Sequence, residues 1–167
     1  TPSGSQCSAC RASTYKVSTG SADCTGCQTG TFSLLVGAKS ADVCEDCPYH
    51  SYSLMPGNRC ECNMGYTGAD NSECMACSAG KFKPEVGSAE CTACTGGKHS
   101  TQVAATSNMC TECAEGSYSA LDNSQCLACP QNAWSELASE SAEGCKCNAG
   151  FTGPGGGTCS PCEAGKY

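Results

Sequence analysis

The sequence predicts a small disulfide-rich fold: an elongated tandem array of short modules, built from β-hairpins and loops with little or no helix. Three observations carry this expectation. Twenty of the 167 residues are cysteine and another twenty are glycine. Leu, Val and Phe together number 14 and Ile is absent; that is about 8 %, well under the rough 20 % below which chains fail to fold around an apolar core. The cysteines also recur as ten close pairs, and internal repetition decides architecture before any local reading. Crosslinks must therefore replace a greasy interior, and modules that touch only their sequence neighbours stack along one axis.

The pairs define the elements in order. Eight are C-x-x-C, at 7/10, 24/27, 44/47, 74/77, 91/94, 110/113, 126/129 and 159/162, and two are C-x-C, at 60/62 and 145/147. Each C-x-C pair precedes an eleven-residue gap and another C-x-x-C pair, which marks out a larger unit. One copy spans 10–74 and a second spans 75–159 with one additional C-x-x-C step; 1–9 read as the end of a preceding module and 160–167 as the start of a following one. The stretch Thr152–Tyr167 repeats the pattern of Thr1–Tyr15, so the segment reads as cut from a longer array or as a protomer whose ends abut like neighbours. An aromatic or imidazole ring stands five positions after the second cysteine of every C-x-x-C: Tyr15, Phe32, Tyr52, Phe82, His99, Tyr118, Trp134 and Tyr167. After the C-x-C pairs the ring arrives one place sooner, in Cys62-Asn-Met-Gly-Tyr66-Thr-Gly and Cys147-Asn-Ala-Gly-Phe151-Thr-Gly. Only Tyr49 among the aromatics stands outside this register. Rings in step with cysteines are expected to pack on the disulfides. Short strands around them, such as Lys81–Lys83, are expected to pair as two-stranded hairpins that the bridges must hold, because a lone hairpin is marginal in water. Turn signals fall at Gly20–Asp23, Pro56–Asn58 and Asp70–Ser72, and no window shows a helical period.

Three chemistries compete for the cysteines. Zinc sites also use C-x-x-C pairs at comparable gaps, but that reading needs five four-thiolate sites and leaves the C-x-C pairs unexplained. A thioredoxin-like redox pair needs one C-x-x-C at a helix start beside a βαβ unit, and no such context is present. Disulfides are the favoured reading, and they place the chain in an oxidising compartment, secreted or at the cell surface.

The stretches Cys77-Ser-Ala-Gly-Lys-Phe82-Lys83 and Cys62 to Gly68, within the pattern C-x-x-C-x-x-G-[TSK]-[YF]-[SK] then C-x-x-C then C-x-C-x-x-G-[YF]-x-G, resemble the EGF-like cysteine-rich repeat of ephrin receptors. The spacing is similar to the modules of tumour-necrosis-factor receptors. The resemblance implies an EGF-like or TNF-receptor-like array over nearly the whole chain, and it is specific for architecture rather than function. The family's connectivity implies Cys10–Cys24, Cys27–Cys47 crossing Cys44–Cys60, and Cys62–Cys74 in the first unit. In the second it implies Cys77–Cys91, Cys94–Cys110, Cys113–Cys129 crossing Cys126–Cys145, and Cys147–Cys159. Cys7 and Cys162 are left to pair with neighbouring modules. A sequential ladder through Cys27–Cys44, Cys47–Cys60, Cys113–Cys126 and Cys129–Cys145 stays open; the crossed pattern is the expectation.

No catalytic constellation emerges, and the chain does not read as an enzyme. His99 occupies the ring position and His50 falls in a turn beside Tyr49. No metal site or cofactor is expected: carboxylates such as Asp42, Glu45, Asp46 and Glu61 are dispersed, whereas calcium needs six to eight converging oxygens. Nine basic against sixteen acidic residues give a net charge of -7, which offers nothing to nucleic acid or anionic lipid. No apolar run reaches the length of a membrane span. Ser18, Thr19, Ser100, Thr101 and Thr106 are candidate O-glycosylation sites. The functional expectation is a structural extracellular repeat protein, a stiff rod or filament of a surface fibre, flagellar hair, wall or matrix. Its partners are copies of itself or adjacent modules, with glycans as further partners. The alternative is a ligand-binding ectodomain segment of a receptor or adhesin.

Overall fold

The computed structural model describes residues 7–54 and 59–166. The regular structure among them is nine two-stranded sheets and two 3-10 turns, Ala41–Val43 and Ala142–Gly144. Strands are two or three residues long, as the dense turn residues and short inter-cysteine segments require. In each hairpin the strand that carries the ring pairs with the strand lying between the next two cysteines. Thr14–Tyr15 pairs with Thr25–Gly26, Thr31–Phe32 with Glu45–Asp46, and Lys81–Phe82 with Thr92–Ala93. The expected turn at Pro56–Asn58 and the ring of Tyr167 lie outside the described residues.

The chain forms two compact units, Thr1–Asn63 with Thr67–Met75 and Val86–Ala89, and Met64–Tyr66 with Ala76–Glu85 and Glu90–Tyr167. The first holds the bridges Cys10–Cys24, Cys27–Cys44, Cys47–Cys60 and Cys62–Cys74. The second holds Cys77–Cys91, Cys94–Cys110, Cys113–Cys126, Cys129–Cys145 and Cys147–Cys159. The crossed pairs Cys27–Cys47 with Cys44–Cys60 and Cys113–Cys129 with Cys126–Cys145 do not form. The reason is local. The return strand of each hairpin follows directly on or includes the first cysteine of a pair, as in Glu45–Asp46 and Glu61–Cys62, so that cysteine closes the loop behind it. In all nine bridges the second cysteine of a pair reaches forward to the first cysteine of the next. Cα–Cα distances of 5.6–5.8 Å lie at the optimum for an unforced bridge.

Sulfur and serine make up the interior. Half-cystines such as Cys27, Cys60, Cys62, Cys77, Cys113 and Cys145 are fully buried, and Phe32, Ala38 and Ala105 are the only other apolar residues among the buried described ones. Beside them lie Ser13, Ser33, Ser53, Ser100, Ser119, Ser135 and Lys83. Every buried side-chain nitrogen or oxygen among the described residues has a hydrogen-bond partner, as burial of polar groups demands. The aliphatic residues went the other way: ten of the eleven Leu and Val side chains are exposed, with Val43 the exception.

Candidate functional site

The element that recurs most faithfully is the junction between consecutive modules. Three residues after the second cysteine of each pair stands a residue in the left-handed region: Ser13, Gly30, His50, Gly65, Gly80, Gly97, Gly116, Asn132, Gly150 and Gly165, all with φ between +58° and +85°. Its carbonyl turns back to accept the amide of the residue three past the next pair's first cysteine, as in Cys27 to Ser13, Cys94 to Gly80 and Cys162 to Gly150. At six of these positions the amide points forward and donates to the residue after the next module's ring. Ser13 donates to Ser33 at 2.8 Å and Gly30 to Ser53 at 3.0 Å in the first unit. Gly65 donates to Lys83 at 2.9 Å, Gly80 to Ser100 at 2.7 Å and Gly116 to Ser135 at 2.8 Å in the second, and Gly97 donates to the Ser119 hydroxyl at 3.0 Å.

Buried hydroxyls complete the junction. Ser13 Oγ donates to the Ser33 carbonyl and accepts from its amide, at 3.0 and 2.9 Å. Ser53 and Ser135 donate to Thr31 and Ser117 at 2.8 and 2.9 Å. Where serine gives way to lysine, Lys83 Nζ donates to the Tyr66 carbonyl of the module before, at 2.6 Å. Loop residues then fold back: the amides of Gly37, Ala104 and Ala138 donate to the carbonyls of Cys10, Cys77 and Cys113. Each bond contributes about 1 kcal/mol net, and several per junction hold neighbours in one register.

Rings of the series touch both sulfur and the junction. His99 does lie on sulfur, with Nδ1 3.0 Å from Cys126 Sγ. Tyr52 and Trp134 instead cover the left-handed glycine of the preceding module. A Cβ on Gly30 would stand 3.8 Å from Tyr52, and one on Gly116 would stand 4.0 Å from Trp134. Both rings remain half-exposed.

The residues singled out for chemistry stay apart. His99, Cys113 and Cys126 bring possible ligand atoms within 4.8 Å of one another, but the two sulfurs are bonded to each other, which leaves the trio without a thiolate. His50 sits in an exposed turn. Arg59 is engaged by Glu61 and, at 3.3 Å, by Asp70, an exposed pair of contacts worth under about 1 kcal/mol each. Of the O-glycosylation candidates, Ser18, Thr19, Thr101 and Thr106 are exposed. Ser100 belongs to the buried junction series, and its hydroxyl accepts from the Gln102 amide, so no glycan can reach it. Cys7 is an exposed thiol and Cys162 a half-buried one. No helix among the described residues is long and apolar enough to cross a membrane.

Two features escaped sequence reasoning. All the buried serines but Ser13 stand at one fixed place, directly after the ring, a signal present in the motif but masked by serine's usual surface role. Leu34-Leu35-Val36 is the one run of three branched aliphatics. It is exposed, and Leu34 and Leu35, with Phe32 and Val43, line a shallow concavity of about 340 Å³.

One titratable group departs from its ordinary value. The Ser124 amide and then its hydroxyl, at 3.1 and 2.8 Å from Asp122 Oδ1, hold the Asp122 carboxyl below the usual 3.8. A depressed carboxylate stabilises the fold above its unfolded value, and that contribution is lost as pH falls through the folded one. The expected result is an Asp122 carboxyl resonance titrating below that of an aspartate in a short peptide, and moving back towards it in Ser124→Ala; coincident titration in both proteins refutes it.

No curated protein matches the chain. Residues 65–109, about a quarter of the chain, match the family described as tyrosine-protein kinase ephrin type A/B receptor-like. That segment covers the Gly65, Gly80 and Gly97 junction residues and the bridges Cys77–Cys91 and the start of Cys94–Cys110. Over 65–109 the chain is thus similar to the cysteine-rich module of ephrin-type receptors, a likeness that suggests an extracellular receptor-type segment, and two-stranded hairpins recur on either side of it.

Proposed function

We propose that the chain is a structural extracellular repeat protein, a stiff disulfide-stapled segment of a surface fibre, wall or matrix filament. One observation carries the reading: the same amide-to-carbonyl junction recurs from module to module at one register within each unit. A ligand site has no need of such monotony, whereas a load-bearing array does. The repeat units 10–74 and 75–159, with 1–9 and 160–167 belonging to flanking modules, are the units of that array. Exposed Ser18, Thr19, Thr101 and Thr106 are its sites for O-linked sugar, and the acidic balance keeps an array with exposed aliphatics in solution. Small-angle scattering tests the reading. A compact globule of this length has a radius of gyration of about 15 Å; a value well above that, with filaments in negative stain, is expected, and a value near 15 Å overturns it.

A second reading has one observation of its own. Leu34-Leu35-Val36 breaks the repeat with an exposed apolar cluster, the kind of patch a receptor ectodomain offers to a protein partner. That reading expects a monomer that captures a protein at sub-micromolar affinity, and expects Leu34→Ser with Leu35→Ser to abolish capture while leaving all nine bridges in place.

A further inference from the structure

The ring position after each C-x-x-C holds Tyr, Phe or Trp in every repeat but one, where it holds His99. Imidazole is the only side chain in that series that ordinarily ligates zinc. The hairpin of Lys98–His99 with Thr111–Glu112 sets His99 opposite Thr111, two residues before Cys113. Cys126 opens the return strand of the following hairpin. His99 Nδ1 lies 3.0 Å from Cys126 Sγ and 3.2 Å from the Thr111 carbonyl oxygen. A carbonyl can only accept, so Nδ1 carries the ring proton and directs it between that oxygen and the sulfur. The ligand atoms of His99, Cys113 and Cys126 all lie within 4.8 Å of one another. Bonds outside the bridge hold this arrangement. The Gly97 amide donates to the Ser119 hydroxyl at 3.0 Å, and the Ser100 amide to the Asn123 carbonyl at 3.0 Å. The Asn123 side-chain amide donates to the Cys94 carbonyl at 2.7 Å. These bonds fix the His99 strand on both sides against the loop between Cys113 and Cys126, all within the second unit. The three side chains therefore stay together when the sulfur–sulfur bond opens.

We propose that His99, Cys113 and Cys126 form a latent zinc site, opened when a dithiol reduces the Cys113–Cys126 bridge. A dithiol of the thioredoxin class supplies the two electrons. Its thiolate attacks the half-buried Cys126 sulfur, forms a mixed disulfide and expels the Cys113 thiolate. Its second sulfur, as thiolate, then attacks the first and expels the Cys126 thiolate, towards which the His99 N–H already points. The dithiol leaves as its own disulfide, its two protons passing to the protein sulfurs or to water. Zinc displaces those protons, takes both thiolates and binds Nδ1 as the ring proton moves to Nε2. Tetrahedral zinc, with Zn–S of about 2.3 Å and Zn–N of about 2.0 Å, sets nitrogen about 3.5 Å from each sulfur. Relative to Cys126 that asks a shift of about half an ångström. Cα atoms 5.6 Å apart keep both sulfurs within reach of one ion. Water takes the fourth position, as at zinc sites with three protein ligands.

The test uses the full folded chain carrying Cys7→Ser and Cys162→Ser, so that every thiol comes from a bridge. Thioredoxin is the dithiol, and released thiols are alkylated and mapped by peptide mass. The species with two thiols is then titrated without oxygen, using Zn2+ against a chromophoric chelator and Co2+ as a spectroscopic probe. Cys113 and Cys126 are expected to be the first pair released. The reduced chain is expected to bind one Zn2+, to give a thiolate-to-cobalt charge-transfer band, and to shift the His99 ring resonances but not those of His50. His99→Phe restores the ring that other modules carry. It is expected to keep its nine bridges when oxidised and to bind Zn2+ at least about tenfold more weakly when reduced, since even the partners of ligands carry that much. Should His99→Phe lose a bridge, the ring resonances of the parent chain decide alone. Another bridge opening first, a reduced pair that takes no zinc, unmoved His99 resonances, or undiminished binding in a correctly bridged His99→Phe overturns the proposal.

Discussion

Gly97→Ala is expected to open the junction it belongs to, at a cost of roughly 2–5 kcal/mol. Two penalties combine. An alanine at φ +76° carries the left-handed strain of about 1–2 kcal/mol. Its Cβ would also stand 2.0 Å from the Ala138 carbonyl oxygen, and relieving a clash with backbone costs a further 1–3 kcal/mol or so. Strain alone is tolerable, because Ser13, His50 and Asn132 hold the same conformation with side chains attached. Gly150→Ala is therefore the control: φ is +85°, nothing lies within 4 Å, and only the first penalty applies. Hydrogen exchange reads the difference. The Cys113 amide donates to the Gly97 carbonyl and the Ala138 amide to the Cys113 carbonyl, so both should lose protection by roughly 30-fold to several thousand-fold at tenfold per 1.4 kcal/mol. Equal losses in Gly97→Ala and Gly150→Ala would show that contact with Ala138 decides nothing.

Removing one interior bridge, as Cys113→Ala with Cys126→Ala, is expected to cost about 2–4 kcal/mol and to be felt locally. The loop spans a separation of 13 residues, for which chain entropy alone predicts about 3 kcal/mol. Cys113 is fully buried, so lost packing adds to that figure. His99 loses the sulfur on which its ring rests. Because modules lean mainly on sequence neighbours, the opening should stay near the lesion. A glutamate-specific protease provides the measurement: cleavage after Glu115, inside the released loop, should quicken by roughly 30- to 1,000-fold when it proceeds through local opening. Cleavage after Glu61, in the other unit, should not change. An equal rise at Glu61 would mean that the chain unfolds as one body and that the modular account is mistaken.

Much of this was readable beforehand, and the misses have physical causes. The cysteine spacing announced the modules, and the rings announced the hairpins, because both depend on residues close in sequence. The crossed bridges were the wrong expectation because either pairing satisfies the same spacing. Choosing needed the folded backbone, which brings Cys44 to 5.7 Å from Cys27 between their Cα atoms and turns Cys47 onward to Cys60. By its sequence Ser100 reads as a surface acceptor, because serine usually is one, and only its place after His99 in a junction shows otherwise. The aliphatic residues were too few to form a core, but nothing local says that Leu34, Leu35 and Val36 face outward.

Composition and spacing alone settle that sulfur replaces hydrocarbon in this interior, since so few Leu, Val and Phe cannot bury enough surface and the crosslinks act on nearby residues. Which cysteine meets which, which serines vanish from solvent, and which glycine can bear no side chain are decided by neighbouring modules in contact. Those outcomes depend on distances across a junction, and a distance across space is not written in the order of residues along a chain.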